Sequence, residues 1–170
     1  MSPRPMMAAA DGPTFGTYSG FDVYPMRMFV TLRVSDLARS VEWYRRALGF
    51  LPTIEADPAD PATPMMHLRR DRHQDIVLLR ADGPVTPAAT AVTFAVPSLD
   101  DVVAQAERVE PVGASSLGEF VETPWGTVDM TVTDPDGNGL SFSARRLDTD
   151  APGGTWVELF RHYTSRRAAG

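Results

Sequence analysis

Apolar and polar positions recur in the same order twice along this chain. Arg27–Asp82 reads as strand, helix and three strands, and Thr90–Arg146 repeats that order at similar spacing. Met28–Val34 alternates with period two. Val30, Leu32 and Val34 form an aliphatic face suited to packing beneath a helix, and Phe29, Thr31 and Arg33 form a mixed face opposite. Ser35 and Asp36 offer an N-cap. Leu37, Val41, Tyr44 and Leu48 then share one stripe, which predicts a helix over 37–48 stopped by Gly49. Phe50–Glu55, Met65–Arg70 and Asp75–Arg80 follow as strands, separated by a proline-rich loop at 57–64 and a turn at 71–74.

The second copy opens with the strand Ala91–Val96. Ser98 and Asp101 have capping-box spacing before a helix whose apolar stripe is Leu99, Val102, Val103, Ala106 and Val109. Phe120–Glu122, Thr127–Thr133 and Gly139–Ala144 complete it, the last two joined by the strong turn Asp134-Pro135-Asp136-Gly137-Asn138-Gly139. A repeat present only twice is a duplicated supersecondary unit rather than a solenoid. The pattern divides the chain into a flexible N-terminal tail (1–20), a first βαβββ module (24–82), a linker (83–89), a second module (90–146) and a C-terminal extension (147–170). In the extension, Trp156, Leu159, Phe160 and Tyr163 give Thr155–Tyr163 the stripe of a short helix, either a docking surface or a pocket wall.

Composition narrows the chemistry. The chain has 170 residues, 43% of them hydrophobic, which is enough for a packed core. Its net charge of −6 gives no nucleic-acid footprint. There is no Cys, so disulfides, thiolate metal sites and cysteine nucleophiles are excluded. There is no Lys either, which removes Schiff-base mechanisms. No stretch has the apolar length of a membrane span and no signal-peptide pattern opens the chain, so a cytoplasmic location is expected.

Two stretches carry a family resemblance. Leu32-Arg33-Val34-Ser35-Asp36-Leu37-Ala38-Arg39-Ser40, with Trp43-Tyr44 and Leu48-Gly49-Phe50, resembles the first βα unit of the vicinal oxygen chelate superfamily. That superfamily includes glyoxalase I, the bleomycin-resistance proteins and the extradiol dioxygenases. Thr123-Pro124-Trp125-Gly126 and Asp134-Pro135-Asp136-Gly137-Asn138 resemble its second-module signature as found in bleomycin-resistance-like members. The resemblance implies an α+β fold: two tandem βαβββ modules with curved mixed sheets forming a cleft, here with the C-terminal helix added, and commonly a homodimer. It also implies four metal-ligand positions, usually His, Glu or Gln, on the first and last strand of each module.

In this chain those positions fall on Phe29, Val77, Ala91 and Ser141. Three have no side-chain lone pair, and a Ser hydroxyl is a poor ligand. The expected protein is therefore metal-free and cofactor-free. It binds a small apolar or aromatic molecule over a floor of Phe29, Val77, Ala91 and Ser141, oriented by Thr31, Arg33, Thr93 and Trp125, and antibiotic sequestration is one example of such a role. Arg33 suits an anionic or carbonyl ligand, or else an ion pair with a neighbouring carboxylate. Trp125 offers a stacking surface, and Trp43, off the main stripe of its helix, is expected in the core where the modules meet.

The alternative is an enzyme of the same superfamily. One form is a metal-independent isomerase, cyclase or hydrolase using His67 and Asp129, and the other a metal-dependent lyase or dioxygenase with relocated ligands. A lone His between apolar residues is more often a hydrogen-bonded structural residue, and a strand Asp more often one at a sheet edge, so His67 and Asp129 read first as those. A regulatory module whose cleft is filled by its own tail is a further alternative. The run Arg69-Arg70-Asp71-Arg72 reads as a solvated face.

Overall fold

The computed structural model describes residues 17–18, 21–22, 28–86, 91–112, 117–124 and 126–146. The N-terminal tail apart from Thr17–Tyr18, the Thr155–Tyr163 helix and Trp125 lie outside the described residues. The chain divides into two compact units, Met1–Val85 and Thr86–Gly170.

In the first unit, β1 (Thr17–Tyr18) and β2 (Phe21–Asp22) form a small antiparallel pair. The main sheet is built from β3 (Val30–Val34), β4 (Leu51–Pro52), β5 (Met65–Asp71) and β6 (Gln74–Arg80), in the order β3-β6-β5-β4. β3 runs parallel to β6 and the other pairs are antiparallel, so the sheet is mixed. Parallel pairing needs a long crossover, and α1 (Leu37–Trp43) supplies it.

The side-chain oxygen of Asp36 accepts from the Arg39 amide at 2.9 Å, which caps α1. The helix does not continue as a regular α-helix to Leu48 as the stripe predicts. Tyr44–Leu48 is a π-helical turn, ended by Gly49 in the left-handed region at φ 76°. The widened turn still buries Tyr44, Ala47 and Leu48, and Tyr44 packs edge-on against Trp43 and Phe50. Trp43 is buried in this unit.

Leu37, Val41, Tyr44 and Leu48 pack with Leu32, Val34, Met66, Leu68, Ile76 and Leu78 to form the core of this unit. Each such side chain contributes on the order of 1.5–3 kcal/mol on burial. The strand expected at Phe50–Glu55 is only two residues long. The chain leaves the sheet after Pro52, although the Thr53 amide still donates to the His67 carbonyl.

The second unit repeats the plan. Its strands are β7 (Ala91–Val96), β8 (Leu117–Glu122), β9 (Thr127–Thr133) and β10 (Gly139–Arg145), in the order β7-β10-β9-β8, with β7 parallel to β10. The crossover is α2 (Leu99–Val109), capped by Ser98, which accepts from the Asp101 amide. Val102, Ala106 and Val109 meet Phe94, Met130, Val132, Leu140 and Phe142. Two four-stranded mixed sheets, each covered on one face by its crossover helix, match the expected βαβββ duplication.

Candidate functional site

Register decides which side chains share the face of each sheet that carries no helix. In the first unit Thr31 pairs with Val77, and Val77 with His67, so these three form one row across β3, β6 and β5. The adjoining row is Asp75, Arg69 and Leu51, with Phe29 at its β3 end. Arg33, Leu79 and Met65 form the row on the other side. Phe29, Thr31 and Arg33 are exposed, as the alternation of β3 predicts, whereas Val77 is buried. Phe29 is 53% exposed and Leu51 45%, large values for such side chains.

Between these two apolar groups lies a polar cluster. Arg69 grips Asp75 with both ends of its guanidinium, Nε to Oδ1 at 2.7 Å and Nη2 to Oδ2 at 2.6 Å. His67 adds Nε2 to the same Oδ2 at 2.8 Å. Burial on its own would raise the Asp75 pKa. The hydrogen bonds and charges of His67 and Arg69 outweigh it and hold the carboxyl below its ordinary range. Both Asp75 and Arg69 are buried, while the His67 side chain keeps 26% exposure. The Phe29 ring lies 6.2 Å from the His67 ring, tilted by 38°.

The expectation that 69–72 is a solvated charge run is therefore corrected. Arg69 alternates onto the helix-free face and is buried against Asp75. Arg70, on the other face, donates to the Leu48 carbonyl and to Gln74. Reading the residues as a run missed a pairing that follows from the hairpin, because a turn at 71–74 sets Arg69 opposite Asp75.

In the second unit the helix-free face is rich in hydroxyls. Thr93 pairs with Ser141, and Ser141 with Thr131, which repeats the Thr31–Val77–His67 row with polar side chains. Ser141 is buried, and Ala91 and Thr93 are exposed. Asp129 pairs with Ser143 and Val121. Its Oδ1 accepts from the hydroxyls of Thr127 and Ser143, and Thr127 in turn bonds Thr123. The sheet-edge reading of Asp129 is corrected, because β9 lies inside its sheet between β10 and β8. His67 and Asp129 belong to different units, and each is held by partners within its own.

The four positions to which the resemblance assigns metal ligands do not offer a donor set. Phe29, Val77 and Ala91 present carbon only, and Ser141 a neutral hydroxyl. His67 and Asp75 supply two donors, but Asp75 is already committed to Arg69. Among the described residues no three His, Cys, Asp or Glu side chains gather where they could hold a metal ion. No helix among the described residues is long and apolar enough to cross a membrane.

A family model described as the Glyoxalase/Bleomycin resistance protein/Dioxygenase superfamily matches residues 28–142. No curated protein matches the chain. Among solved structures, a glyoxylase/bleomycin resistance protein/dioxygenase domain from Frankia sp. EAN1pec is 23% identical with a TM-score of 0.58, over 70% of this chain and 90% of its own. The bleomycin-binding protein of Streptomyces verticillus, solved with copper(II)-bleomycin, is 20% identical with a TM-score of 0.54, over 72% and 98%. Lactoylglutathione lyase from Agrobacterium tumefaciens is 17% identical with a TM-score of 0.54, over 74% and 98%. At these identities the likeness is one of fold, and the three names span a binder and an enzyme.

Proposed function

Because the chain belongs to the glyoxalase/bleomycin resistance protein/dioxygenase superfamily, we propose that it binds a small, largely apolar or aromatic molecule on a helix-free sheet face, without a metal ion. One observation carries this reading: three of the large hydrophobic side chains left exposed, Phe29, Leu51 and Val121, belong to such faces rather than to the helix-covered ones. Apolar surface interrupted by a few fixed polar groups is the usual lining of a small-molecule site. On the helix-free face of the first unit the polar groups are Thr31, Arg33 and His67, of which His67 is held by Asp75. The polar groups on the helix-free face of the second unit are Thr93, Ser141 and Asp129, of which Asp129 is held by Thr127 and Ser143, and the resemblance adds Trp125. Sequestration of a natural product is one role that needs no bond-making, and the bleomycin-binding protein of similar fold is an example of a binder.

The test is calorimetric titration with a panel of planar natural products and simple aromatics, followed by a search for product. A stable stoichiometric complex with unchanged ligand is expected. Turnover without a stable complex would replace this reading with an enzymatic one. The contact between Asp75 and His67 favours a single form of that second reading, in which His67 moves a proton.

A further inference from the structure

His67 adds a further hydrogen bond to a carboxylate that Arg69 already grips. The Asp75 carboxylate already takes both arms of the Arg69 guanidinium, which is a complete ion pair. The imidazole is added to an oxygen that has a partner. What the contact does fix is the histidine. A carboxylate held ionised by Arg69 can only accept, so the ring nitrogen facing it, Nε2, must carry the hydrogen. In the neutral ring the lone pair then sits on Nδ1.

Nδ1 makes no hydrogen bond among the described residues. The ring is open enough to be reached. Beside it is the exposed ring of Phe29, and at the far end of the Asp75–Arg69 row is the exposed Leu51. The charged side chains on this face are Asp75, Arg69 and Arg33. None of them bonds Nδ1: Asp75 is turned to Nε2, and neither guanidinium donates to the ring.

We propose that His67 is the hydrogen-bond acceptor of a binding site on the first sheet, where it reads a ring O–H or N–H of a planar aromatic ligand packed against Phe29. The inference rests on the small-molecule reading above and gives it a chemical class. Asp75 is a positioning residue, since it fixes which nitrogen accepts. Arg69 in turn holds Asp75.

The experiment compares 2-naphthol with 2-methoxynaphthalene, which has the same ring system but no donor. The full-length protein should bind 2-naphthol about tenfold more tightly, the scale of one buried hydrogen bond. In His67→Phe the two should bind alike. Equal binding of the two to the wild-type protein overturns the inference and leaves the small-molecule reading standing. Binding of neither overturns both.

A second measurement avoids the variant. In a long-range proton–nitrogen correlation spectrum near about pH 8, where an ordinary imidazole is neutral, His67 should show its hydrogen on Nε2. The Nδ1 resonance should move when 2-naphthol is added. A hydrogen on Nδ1, or an Nδ1 signal that ignores saturating 2-naphthol, overturns the inference.

Discussion

Asp75 concentrates more consequence than any other residue of the first unit. Its carboxylate is buried and answers a buried guanidinium, and removing one member of such a pair costs far more than an exposed pair contributes. Asp75→Asn leaves Arg69 charged and half-answered, so a loss of about 3 kcal/mol is expected by chemical denaturation. The acid limb of stability should change too. The folded pKa of Asp75 lies below its unfolded value, so between the two the unfolded chain binds more protons and stability rises with pH. The contribution is complete above about pH 4, the ordinary Asp range, and is lost as pH falls through the depressed value. Asp75→Asn should therefore lose less stability than wild type on acidification below that pH. An unchanged acid limb would show that the cluster does not hold the carboxyl ionised.

At the same scale the sequence was legible for some residues and not for others. The outward set Phe29, Thr31 and Arg33 follows from period two alone. Arg69 did not, because four successive charged residues look solvated until the pleat separates them onto opposite faces. Asp75 was passed over because its partner lies across a hairpin, where only the turn position gives the register.

Among the elements, α1 and β8 show what sequence patterns leave out. The stripe Leu37, Val41, Tyr44, Leu48 and the stop at Gly49 mark a helix and its end. They do not report the pitch between them, so the π-helical turn at Tyr44–Leu48 came only with the coordinates. β8 carries an irregularity between Leu117 and Phe120, where its register against β9 shifts. Gly118 sits in that irregularity, and the backbone comes so close to Thr131 that a Cβ would collide with its Oγ1 and meet its carbonyl oxygen at 3.3 Å.

Gly118→Ala should thus be destabilising by about 1–3 kcal/mol, the usual scale of overpacking. Adding Thr131→Ala removes the nearer atom and should recover most of the loss, leaving the part due to the carbonyl. A double-mutant cycle measures this coupling. Additive effects would show that the strand moves away instead. That irregularity was beyond the sequence reading, which began the strand at Phe120.

For the whole molecule, the duplication was legible because both halves share one order of elements and one alternation of faces. The reason is physical, since a βαβββ unit covers only one face of its sheet with its own helix. The identity of the ligand was not legible, because the positions where relatives differ in chemistry hold Phe29, Val77, Ala91 and Ser141, none of which specifies a partner. Their consequence is testable on the intact protein. Anything that binds only the folded state raises the thermal midpoint in proportion to its occupancy. Manganese, nickel or zinc in excess should leave the midpoint unmoved. A rise of several degrees, abolished by chelator, would place metal donors among side chains assigned other work above.

The parallel pairing of β3 with β6 also orders events during synthesis. In the four-stranded sheet of the first unit the strand made first is the one whose partner is made last. As the nascent chain leaves the ribosome, Val30–Val34 has no partner strand until Gln74–Arg80 has emerged. Through that interval its backbone donors and acceptors, and the Phe29 ring, are open to whatever holds unfinished chains. A stall between these segments would leave the aliphatic side of the strand bare as well, and chaperone dependence should peak there.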